Sequence, residues 1–419
     1  MTFRGLSIAL LLCVCADAAW RVAAPDEVDA SPRFAVPSAV ADTPLQCSEP
    51  LMWQQGRLPM PAGAPTAHAS ALVSLEAPHP MAHKKSMAAF WFAGTRESGS
   101  DVGIAAATFD RQRQTWDDAQ WVVTREMLQA QLGVAVRRIG NPVAWRDPDG
   151  RLHLYVVATG LGGWAASRVV HLVEAVPQPV HHAWRFVAER VMPLMPLATW
   201  FNTSTLVRAV PQPLQDGGAL LPLYFELGTK YAMAVRVGPQ GQLRDIRRLT
   251  ERRDVLQPTL VAVSETQAWA FMRDSGPHAR VAWTQTDDAG LQWHDQPDAE
   301  AGNPDSSLAA VRLPSGEVLV AHNPVPERRS VLLLSRVRDP QQPWSPTVLV
   351  KGEAGSEYSY PSMLWLDGAP AELAQRKAAA RGPVTSEVWV SYTDQRQAIS
   401  FARLVMTCQP EGMPKGAKP

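Results

Sequence analysis

This sequence lacks net charge, long apolar runs beyond its N-terminal region, and any concentration of metal-binding side chains. Its 40 Lys and Arg residues balance 40 Asp and Glu residues, so no basic surface for nucleic acid is evident. The histidine pairs His79/His83 and His181/His182 have no Cys or carboxylate cluster that would complete a metal site. We therefore expect solvated loop histidines, no metal, no cofactor and no nucleic-acid partner.

Helical periodicity is also scarce. The one clear helical stretch is residues 371–380, between Pro370 and Pro383, and we expect a surface insertion there. Apolar and polar residues instead alternate with period two, the pattern of half-buried β-strands. Residues 257–293 hold three such runs, separated by polar turn residues, at 259–264, 268–273 and 280–286. They predict an antiparallel meander.

The same meander recurs six times, with roughly 50 to 70 residues between successive openings. The openings are His68, Asn141, Asn202, Gln257, Asn303 and Tyr360. This spacing predicts an all-β fold, a six-bladed β-propeller over residues 46–410 with a tail at 411–419. A pair of β-sandwiches is the alternative. Because the innermost strands of a propeller converge on one axis, the six opening residues are expected to share a pocket.

The N-terminal region has the pattern of a secretory signal peptide. Arg4 precedes an apolar run at residues 6–14, and Ala16-Asp17-Ala18 is similar to a cleavage site. That run is too short for a membrane-spanning helix. We expect residues 1–18 to be the signal peptide and residues 19–45 a linker. The protein is then periplasmic or secreted, with no membrane span after cleavage.

Two of the 4 cysteines, Cys47 and Cys408, remain after that cleavage and flank the predicted propeller. In an oxidising compartment this placement predicts a disulfide. The last repeat lacks its fourth strand, since the chain leaves the sheet near Met406. Residues 47–58 are predicted to supply that strand and to close the ring.

Residues 286–293 resemble the Asp-box of the sialidase superfamily, Ser-x-Asp-x-Gly-x-Thr-Trp. Asp288 is expected to bind backbone N–H groups of its own turn, Gly290 to take positive φ, and Trp293 to fill the gap between sheets. Further matching motifs are Trp91-Phe-Ala-Gly-Thr-Arg-Glu97, Gly140-Asn-Pro-Val143, Leu223-Tyr-Phe-Glu226, Met272-Arg-Asp274 and Tyr358-Ser-Tyr-Pro-Ser362. Over roughly residues 66–406 the chain resembles the BNR-repeat-like branch of that superfamily.

The resemblance implies an exo-glycosidase that binds a sugar carboxylate through arginines and attacks with a tyrosine. By motif, Tyr360 is similar to the nucleophile and Asp101 to the acid/base. Arg273 and Arg329 are similar to two of the three carboxylate-binding arginines. A neutral tyrosine suits an anionic sugar because it avoids repulsion from the carboxylate.

Two positions depart from the family pattern. His68 stands where the first arginine is expected, and Gln257 where a glutamate would activate the tyrosine. Gln cannot accept a proton, so Glu226 or His68 is the candidate replacement. The further candidates for substrate binding, on segments expected to face the central funnel, are Arg96, Glu97, Asn141, Trp164, Asn202, Gln257, Asn303, Tyr392 and Arg396.

Three functions are compatible with these residues. The first is an exported sialidase-like exo-glycosidase acting on a terminal acidic sugar, either sialic acid or a similar one. The second is a polysaccharide lyase, in which His68 and Tyr360 move protons beside a uronate. The third is a non-catalytic propeller that binds an anionic glycan.

Overall fold

The computed structural model describes residues 32–36, 45–75, 79, 81–82, 85–110, 112–160, 163–175, 184–192, 204–325, 329–367 and 384–410. Several sequence predictions lie outside the described residues. They concern the signal peptide at 1–18, most of the linker, His83, His181, His182, Asn202, the helix at 371–380 and the tail at 411–419.

The described residues form six antiparallel sheets of four or five strands, the all-β propeller that the alternation predicts. Blade 1 contains β3 (Thr66–Ser74), β4 (Lys85–Gly94), β5 (Gly103–Asp110), β6 (Thr115–Trp116) and β7 (Gln120–Val123). Blade 2 contains β8 (Arg138–Arg146), β9 (Leu152–Thr159), β10 (Ser167–Glu174) and β11 (Phe186–Met192). Blade 3 contains β12 (Leu206–Val207), β13 (Gln212–Pro213), β14 (Ala219–Phe225), β15 (Tyr231–Val237) and β16 (Leu243–Arg248).

The second half of the chain repeats this arrangement. Blade 4 contains β17 (Val255–Ala262), β18 (Ala268–Asp274), β19 (Ala282–Thr286) and β20 (His294–Asp295). Blade 5 contains β21 (Ala309–Arg312), β22 (Val318–His322), β23 (Val331–Val337) and β24 (Ser345–Lys351). Blade 6 contains β25 (Tyr358–Asp367), β26 (Val384–Asp394) and β27 (Ala398–Pro410), together with β1 (Leu45–Cys47) and β2 (Leu51–Arg57) from the N-terminal region.

The N-terminal strands close the ring as predicted. Both β1 and β2 pair antiparallel with β27, on the edge opposite to β26. Cys47 lies opposite Cys408 in that pairing, and the two are joined by a disulfide. Hydrogen bonds and a covalent bond therefore both fasten the first strands of the chain to the last one.

Replacing both cysteines with serine should lower the free energy of unfolding by about 2–4 kcal/mol, because the disulfide restricts the unfolded chain over a long loop. Urea unfolding of the double variant and of the reduced wild-type protein would measure the loss. Equal midpoints for the oxidised wild-type and serine proteins would contradict this role for the bridge.

Six apolar cores, one between each pair of neighbouring blades, hold the ring together. The core between blades 6 and 1 contains the fully buried Trp91 and Trp389. The sheets therefore pack on one another around a closed circle, and each pair of neighbouring blades shares a core.

The predicted Asp-box roles are confirmed at the turn after β19. Asp288 accepts the backbone N–H of Gln292 at 2.9 Å, and Gly290 has φ +90°. The Trp293 ring packs on the core between blades 3 and 4, and its indole N–H donates to the Gly290 carbonyl at 3.2 Å. The turn thus locks the outer end of blade 4 onto its neighbour.

One short helix was not predicted, α1 (Arg125–Leu132), which follows β7. Thr124 caps its N-terminus by accepting the Met127 N–H at 3.2 Å, and Gly133 ends it with φ +66°. Its eight residues make about two turns, too few for a recognisable helical period. No helix within the described ranges is long and apolar enough to cross a membrane.

Two segments expected to be solvated are instead packed. His79 is buried, and its Nε2 lies 3.3 Å from the Glu174 carboxylate, so the expectation of a solvated histidine is wrong there. Within the expected linker, Phe34 forms a bridge with Leu214 and is fully buried in the core between blades 3 and 4. An apolar side chain placed between two sheets explains that docking.

Candidate active site

A cavity of about 200 Å³ lies where the innermost strands of the blades converge. Eight of the residues predicted from the sequence line it: His68, Glu97, Asn141, Trp164, Glu226, Gln257, Arg273 and Tyr360. Four further residues complete its lining: Phe92, Ser98, Ile139 and Tyr224. The walls therefore combine blades 1, 2, 3, 4 and 6, as the convergence of strands on one axis predicts.

Each blade carries a non-glycine residue with left-handed backbone at the opening of its innermost strand: Ala69 (φ 49°), Asn141 (42°), Ser204 (64°), Gln257 (49°), Asp305 (55°) and Tyr360 (52°). Blade 4 has a further one, Asp254, directly before β17. In β3, β8, β17 and β25 the pairing register shifts at that point, as in a β-bulge. Such a conformation costs about 1–3 kcal/mol per residue. Three of the bulges present Asn141, Gln257 and Tyr360 to the cavity.

Arg273 joins three of these left-handed residues by hydrogen bonds. Its Nη1 donates to Gln257 Oε1 at 3.2 Å and to Tyr360 Oη at 3.3 Å. Its Nε donates to Asp305 Oδ1 at 2.5 Å. Burial disfavours the cation, but the Asp305 hydrogen bond and the nearby charges outweigh it and raise the Arg273 pKa. Arg273 is therefore a permanent positive charge at the Tyr360 hydroxyl.

Tyr224 also lines the cavity, with its hydroxyl near two amide side chains. Gln257 Nε2 lies 3.4 Å and Asn141 Nδ2 3.5 Å from Tyr224 Oη, both as donors. Burial raises the pKa of Tyr224, and the neighbouring Glu226 adds to the effect. Tyr224 is thus a neutral phenol that accepts hydrogen bonds rather than a source of negative charge.

Glu226 is the carboxyl group in the cavity best suited to carry a proton. Ser204 Oγ fixes its position by accepting the backbone N–H of Glu226 at 2.7 Å. Burial raises the pKa of its carboxyl, while the charges of Arg273 and Lys230 oppose that rise. A carboxyl whose pKa is raised keeps its proton at higher pH than usual, as a general acid requires.

His68 packs against the ring of Tyr360, with 4.4 Å between ring centroids. Burial lowers the pKa of His68 to about 3, because the charged imidazolium would lose its hydration. The ring is therefore neutral at neutral pH and a weak base. Its Nδ1 is buried without a hydrogen-bond partner among the described residues.

Glu357 holds two arginines beside Tyr360. It accepts hydrogen bonds from Arg329 Nη1 at 3.2 Å and from Arg396 Nε at 2.7 Å. Arg396 also donates to Glu97 at 2.5 Å, which links a blade 1 loop to a blade 6 turn at the cavity mouth. The Arg329 guanidinium carbon lies 5.7 Å from the Tyr360 ring centroid. Both arginines surround the tyrosine without lining the cavity itself.

The family of the chain follows from its sequence match. A family model described as a BNR repeat-like domain matches residues 85–370. The chain belongs to the BNR repeat-like family. No curated protein sequence is matched by this chain.

Solved structures similar to this BNR repeat-like propeller include two sialidases and an arabinanase. Hadza microbial sialidase Hz136 has a TM-score of 0.59 at 14% identity, over 81% of this chain and 66% of that one. NanB sialidase from Streptococcus pneumoniae has a TM-score of 0.58 at 11% identity, over 90% and 71%. Penicillium chrysogenum alpha-L-arabinanase has a TM-score of 0.51 at 11% identity, over 85% and 98%. At these identities the likeness shows a common fold.

Some predicted site residues of this BNR repeat-like protein lie outside the cavity. Asp101 is exposed and accepts the N–H and the hydroxyl of Thr95 at 2.7 and 2.9 Å. Those bonds, led by the backbone one, lower the pKa of Asp101, so it is ionised and poorly suited as an acid. Arg96 is exposed on the same loop and does not line the cavity.

Two more predicted residues have structural surroundings. Asn303 is fully buried and caps its own turn, accepting the Ser306 N–H at 2.8 Å and donating to the Ser306 carbonyl at 2.9 Å. Tyr392 is buried against Tyr358, and burial raises its pKa to about 12. Neither lines the cavity.

Several important residues of the site were not predicted. Tyr224 is near the end of β14, two positions before Glu226, so the period-two alternation that places Glu226 also indicates Tyr224. Glu357 directly precedes the motif that contains Tyr360. Arg208 lies under Tyr360. It directly follows β12 and belongs to no motif, so nothing in the sequence distinguishes it from other arginines.

Proposed function

We propose that this protein is a glycoside hydrolase that releases a terminal acidic sugar, sialic acid or a similar one, with Tyr360 as nucleophile and Glu226 as acid/base. The observation that carries the proposal is the arrangement around Tyr360 Oη. A permanent cation, Arg273, contacts that oxygen inside a polar cavity that also contains a carboxyl group with a raised pKa.

Cations, rather than a base, prepare the nucleophile in this proposal. Gln257 cannot accept the phenolic proton, and the pKa of about 3 makes His68 a weak base. Arg273 donates to Tyr360 Oη, and Arg208 and Arg329 lie against the ring. Positive charges at these distances stabilise the negative charge that develops on the oxygen as it bonds to the anomeric carbon, and the phenolic proton passes to water in that step.

Glu226 then acts in both chemical steps. In the first, Tyr360 Oη bonds to the anomeric carbon, the glycosidic C–O bond breaks, and Glu226 gives its proton to the leaving oxygen. In the second, Glu226 takes a proton from water, whose oxygen displaces Tyr360 from the anomeric carbon. This assignment differs from the expectation for Asp101, whose lowered pKa and exposed position suit it poorly.

An acidic sugar suits the charge balance. When Glu226 is protonated, the carboxylates of Asp305 and Glu357 are already engaged by Arg273, Arg329 and Arg396. Arg208 then adds a positive charge with no carboxylate partner among the described residues. A ligand carboxylate would neutralise that excess, and Arg273 Nη2 would donate to it while Nε and Nη1 hold Asp305, Gln257 and Tyr360.

One contact favours a second candidate, a polysaccharide lyase. A neutral histidine packed on a tyrosine is a plausible pair for removing and returning a proton beside a uronate carboxylate. The low pKa of His68 weighs against it, because a base that weak accepts a carbon-bound proton poorly. The two candidates give different products, since only a lyase leaves an unsaturated sugar that absorbs in the near ultraviolet.

We also propose that the protein is exported to the periplasm or beyond. The Cys47–Cys408 disulfide supports this, because such bonds persist in oxidising compartments. Immunoblotting of periplasmic and culture fractions tests the location.

Arg273→Lys should weaken binding of an acidic monosaccharide by about 10- to 100-fold, although the charge is retained, because lysine cannot present the same fork to a carboxylate and to Tyr360. Isothermal titration with N-acetylneuraminic acid and with glucuronic acid measures the change. Arg96→Lys is the matched control, and its affinity should equal that of wild type because Arg96 lies outside the cavity. An affinity unaffected by Arg273→Lys would show that the ligand carboxylate does not bind at Arg273.

A further inference from the structure

Arg208 joins three blades at the bottom of the site. It follows β12 of blade 3 and is only 3% exposed. Its Nη1 donates to the Ser70 carbonyl of blade 1 at 3.1 Å, and its Nη2 donates to the Tyr360 and Pro361 carbonyls of blade 6 at 2.5 and 3.0 Å. One side chain therefore satisfies carbonyl groups of two other blades, including that of the tyrosine itself.

The backbone that Arg208 holds is strained. Tyr360 has φ +52°, a conformation that costs a non-glycine residue about 1–3 kcal/mol. Two of the three Arg208 hydrogen bonds go to the carbonyls of Tyr360 and of the next residue, Pro361. These contacts oppose relaxation of the bulge, and relaxation would turn the phenol out of the cavity.

The charge of Arg208 is not neutralised by a neighbour. No carboxylate contacts it within the described part of the chain, and its hydrogen bonds go to neutral carbonyls. Burial lowers the pKa of Arg208 to about 10, which still leaves it a cation at neutral pH. Burying an unpaired charge costs free energy, and the three carbonyl hydrogen bonds offset part of that cost. The guanidinium carbon lies 5.3 Å from the Tyr360 ring centroid, so its field acts on the phenol.

We propose that Arg208 is the positioning residue of Tyr360, holding the bulge that aims the phenol into the cavity and stabilising negative charge on its oxygen from beneath the ring. This inference rests on the proposed role of Tyr360 as nucleophile. In this arrangement a buried cation takes the place of the missing glutamate. Arg208, Arg273 and Arg329 together surround Tyr360.

The test compares Arg208→Met, which removes the charge, with Arg208→Lys, which keeps it but cannot bond all three carbonyls. Each protein is treated with tetranitromethane, which nitrates tyrosinate faster than tyrosine, and peptide mass spectrometry gives the rate at each tyrosine. Tyr231, which is half-buried and lies outside the cavity, is the internal reference. We expect nitration at Tyr360, relative to Tyr231, to slow at least about tenfold in Arg208→Met, since a unit charge has been removed close to the ring. Arg208→Lys should stay within about threefold of wild type.

Thermal unfolding separates this role from a structural one. Both variants should melt at lower temperature than wild type, because both lose carbonyl contacts, yet only Arg208→Met should lose Tyr360 reactivity. If the Met variant does not fold, the Lys variant decides: destabilised but reactive supports the inference. Equal reactivity of Tyr360 in wild type and Arg208→Met, or equal losses in both variants, would overturn it.

Nitration needs no glycan substrate, so the inference and the proposed function can fail separately. If the wild-type protein turns over no glycan and Arg208→Met still lowers the reactivity of Tyr360, the positioning role stands and the proposed activity is wrong. If the wild-type protein hydrolyses acidic glycosides and the reactivity of Tyr360 does not depend on Arg208, the proposed activity stands and this inference is wrong.

Discussion

The Tyr360→Phe protein is expected to fold, to bind acidic sugars and to hydrolyse acidic glycosides more slowly by a factor on the order of 10⁴ or more, the scale of losing a nucleophile. The substitution removes one hydroxyl and keeps the ring that packs on His68. Among the described residues, only the Arg273 hydrogen bond to Oη is lost, so the melting temperature should change little. Initial rates on aryl sialosides and binding by titration calorimetry measure the two effects.

Tyr392→Phe is the matched control for that experiment. Tyr392 belongs to the same blade, is buried and lies outside the cavity, so its variant should keep nearly full activity. Turnover by Tyr360→Phe at the wild-type rate would refute the nucleophile assignment. An equal loss in both variants would mean that blade 6 had been perturbed and that the hydroxyl itself was not responsible.

Glu226→Gln should reduce the rate on natural glycans by about 10²–10⁴-fold, the usual loss for a positioned acid/base. The loss should be much smaller in the first step with aryl glycosides, whose leaving groups need no proton. Added azide, a nucleophile that needs no deprotonation, should restore part of the turnover and yield a glycosyl azide. Wild-type activity should fall as the pH rises through the raised pKa of Glu226, since the acid form is required. This decrease at higher pH should be absent from the pH profile of Glu226→Gln.

Stability gives a second readout at Glu226. Its raised pKa means that the folded state prefers the neutral carboxyl. The stabilisation of the fold by this carboxyl is therefore present at low pH and is lost as the pH rises through the folded-state pKa. A neutral amide at this position should therefore leave the protein at least as stable at neutral pH. Glu97→Gln, which changes the other carboxylate lining the cavity, is the control and should lose far less activity. Normal glycan hydrolysis by Glu226→Gln would exclude it as the acid.

The architecture was predictable because each blade repeats the same local chemistry. Alternation identified the strands, and the two cysteines and the short last repeat identified the closure. Asn141, Gln257 and Tyr360 were correctly placed at the cavity, and each directly precedes a proline, which marks the bulge in the sequence. Proline restricts the preceding residue, so these positions have a local signature.

In the other three blades no proline follows the left-handed residue, and there the opening was misplaced. Asn303 does precede Pro304, but the left-handed residue of that blade is Asp305. The left-handed residues are Ala69, Ser204 and Asp305, one or two positions after His68, Asn202 and Asn303. His68 still reaches the cavity because it neighbours the bulge, whereas Asn303 turns inward to cap its own loop. A shift of one residue reverses the facing of a strand side chain, so an opening located only approximately cannot assign its side chain.

Contacts between distant blades were beyond sequence patterns. Arg208 reaches Tyr360 across 152 positions, and Arg273 meets Tyr360 across 87. Asp101 was assigned by its motif, but the Thr95 hydrogen bonds that hold it at the surface depend on the loop conformation. Local alternation carries no information on such geometry, which arises only when the ring closes.

Product analysis of the wild-type protein tests the central claim most directly. The protein would be incubated with sialosides and with oligosaccharides ending in a uronic acid, and the products identified by mass and near-ultraviolet absorbance. We predict release of a saturated acidic monosaccharide from one of these classes, with no absorbing product and none of this release by Tyr360→Phe. An unsaturated, absorbing sugar would instead identify a lyase, and binding without any product would show that the cavity only recognises its glycan.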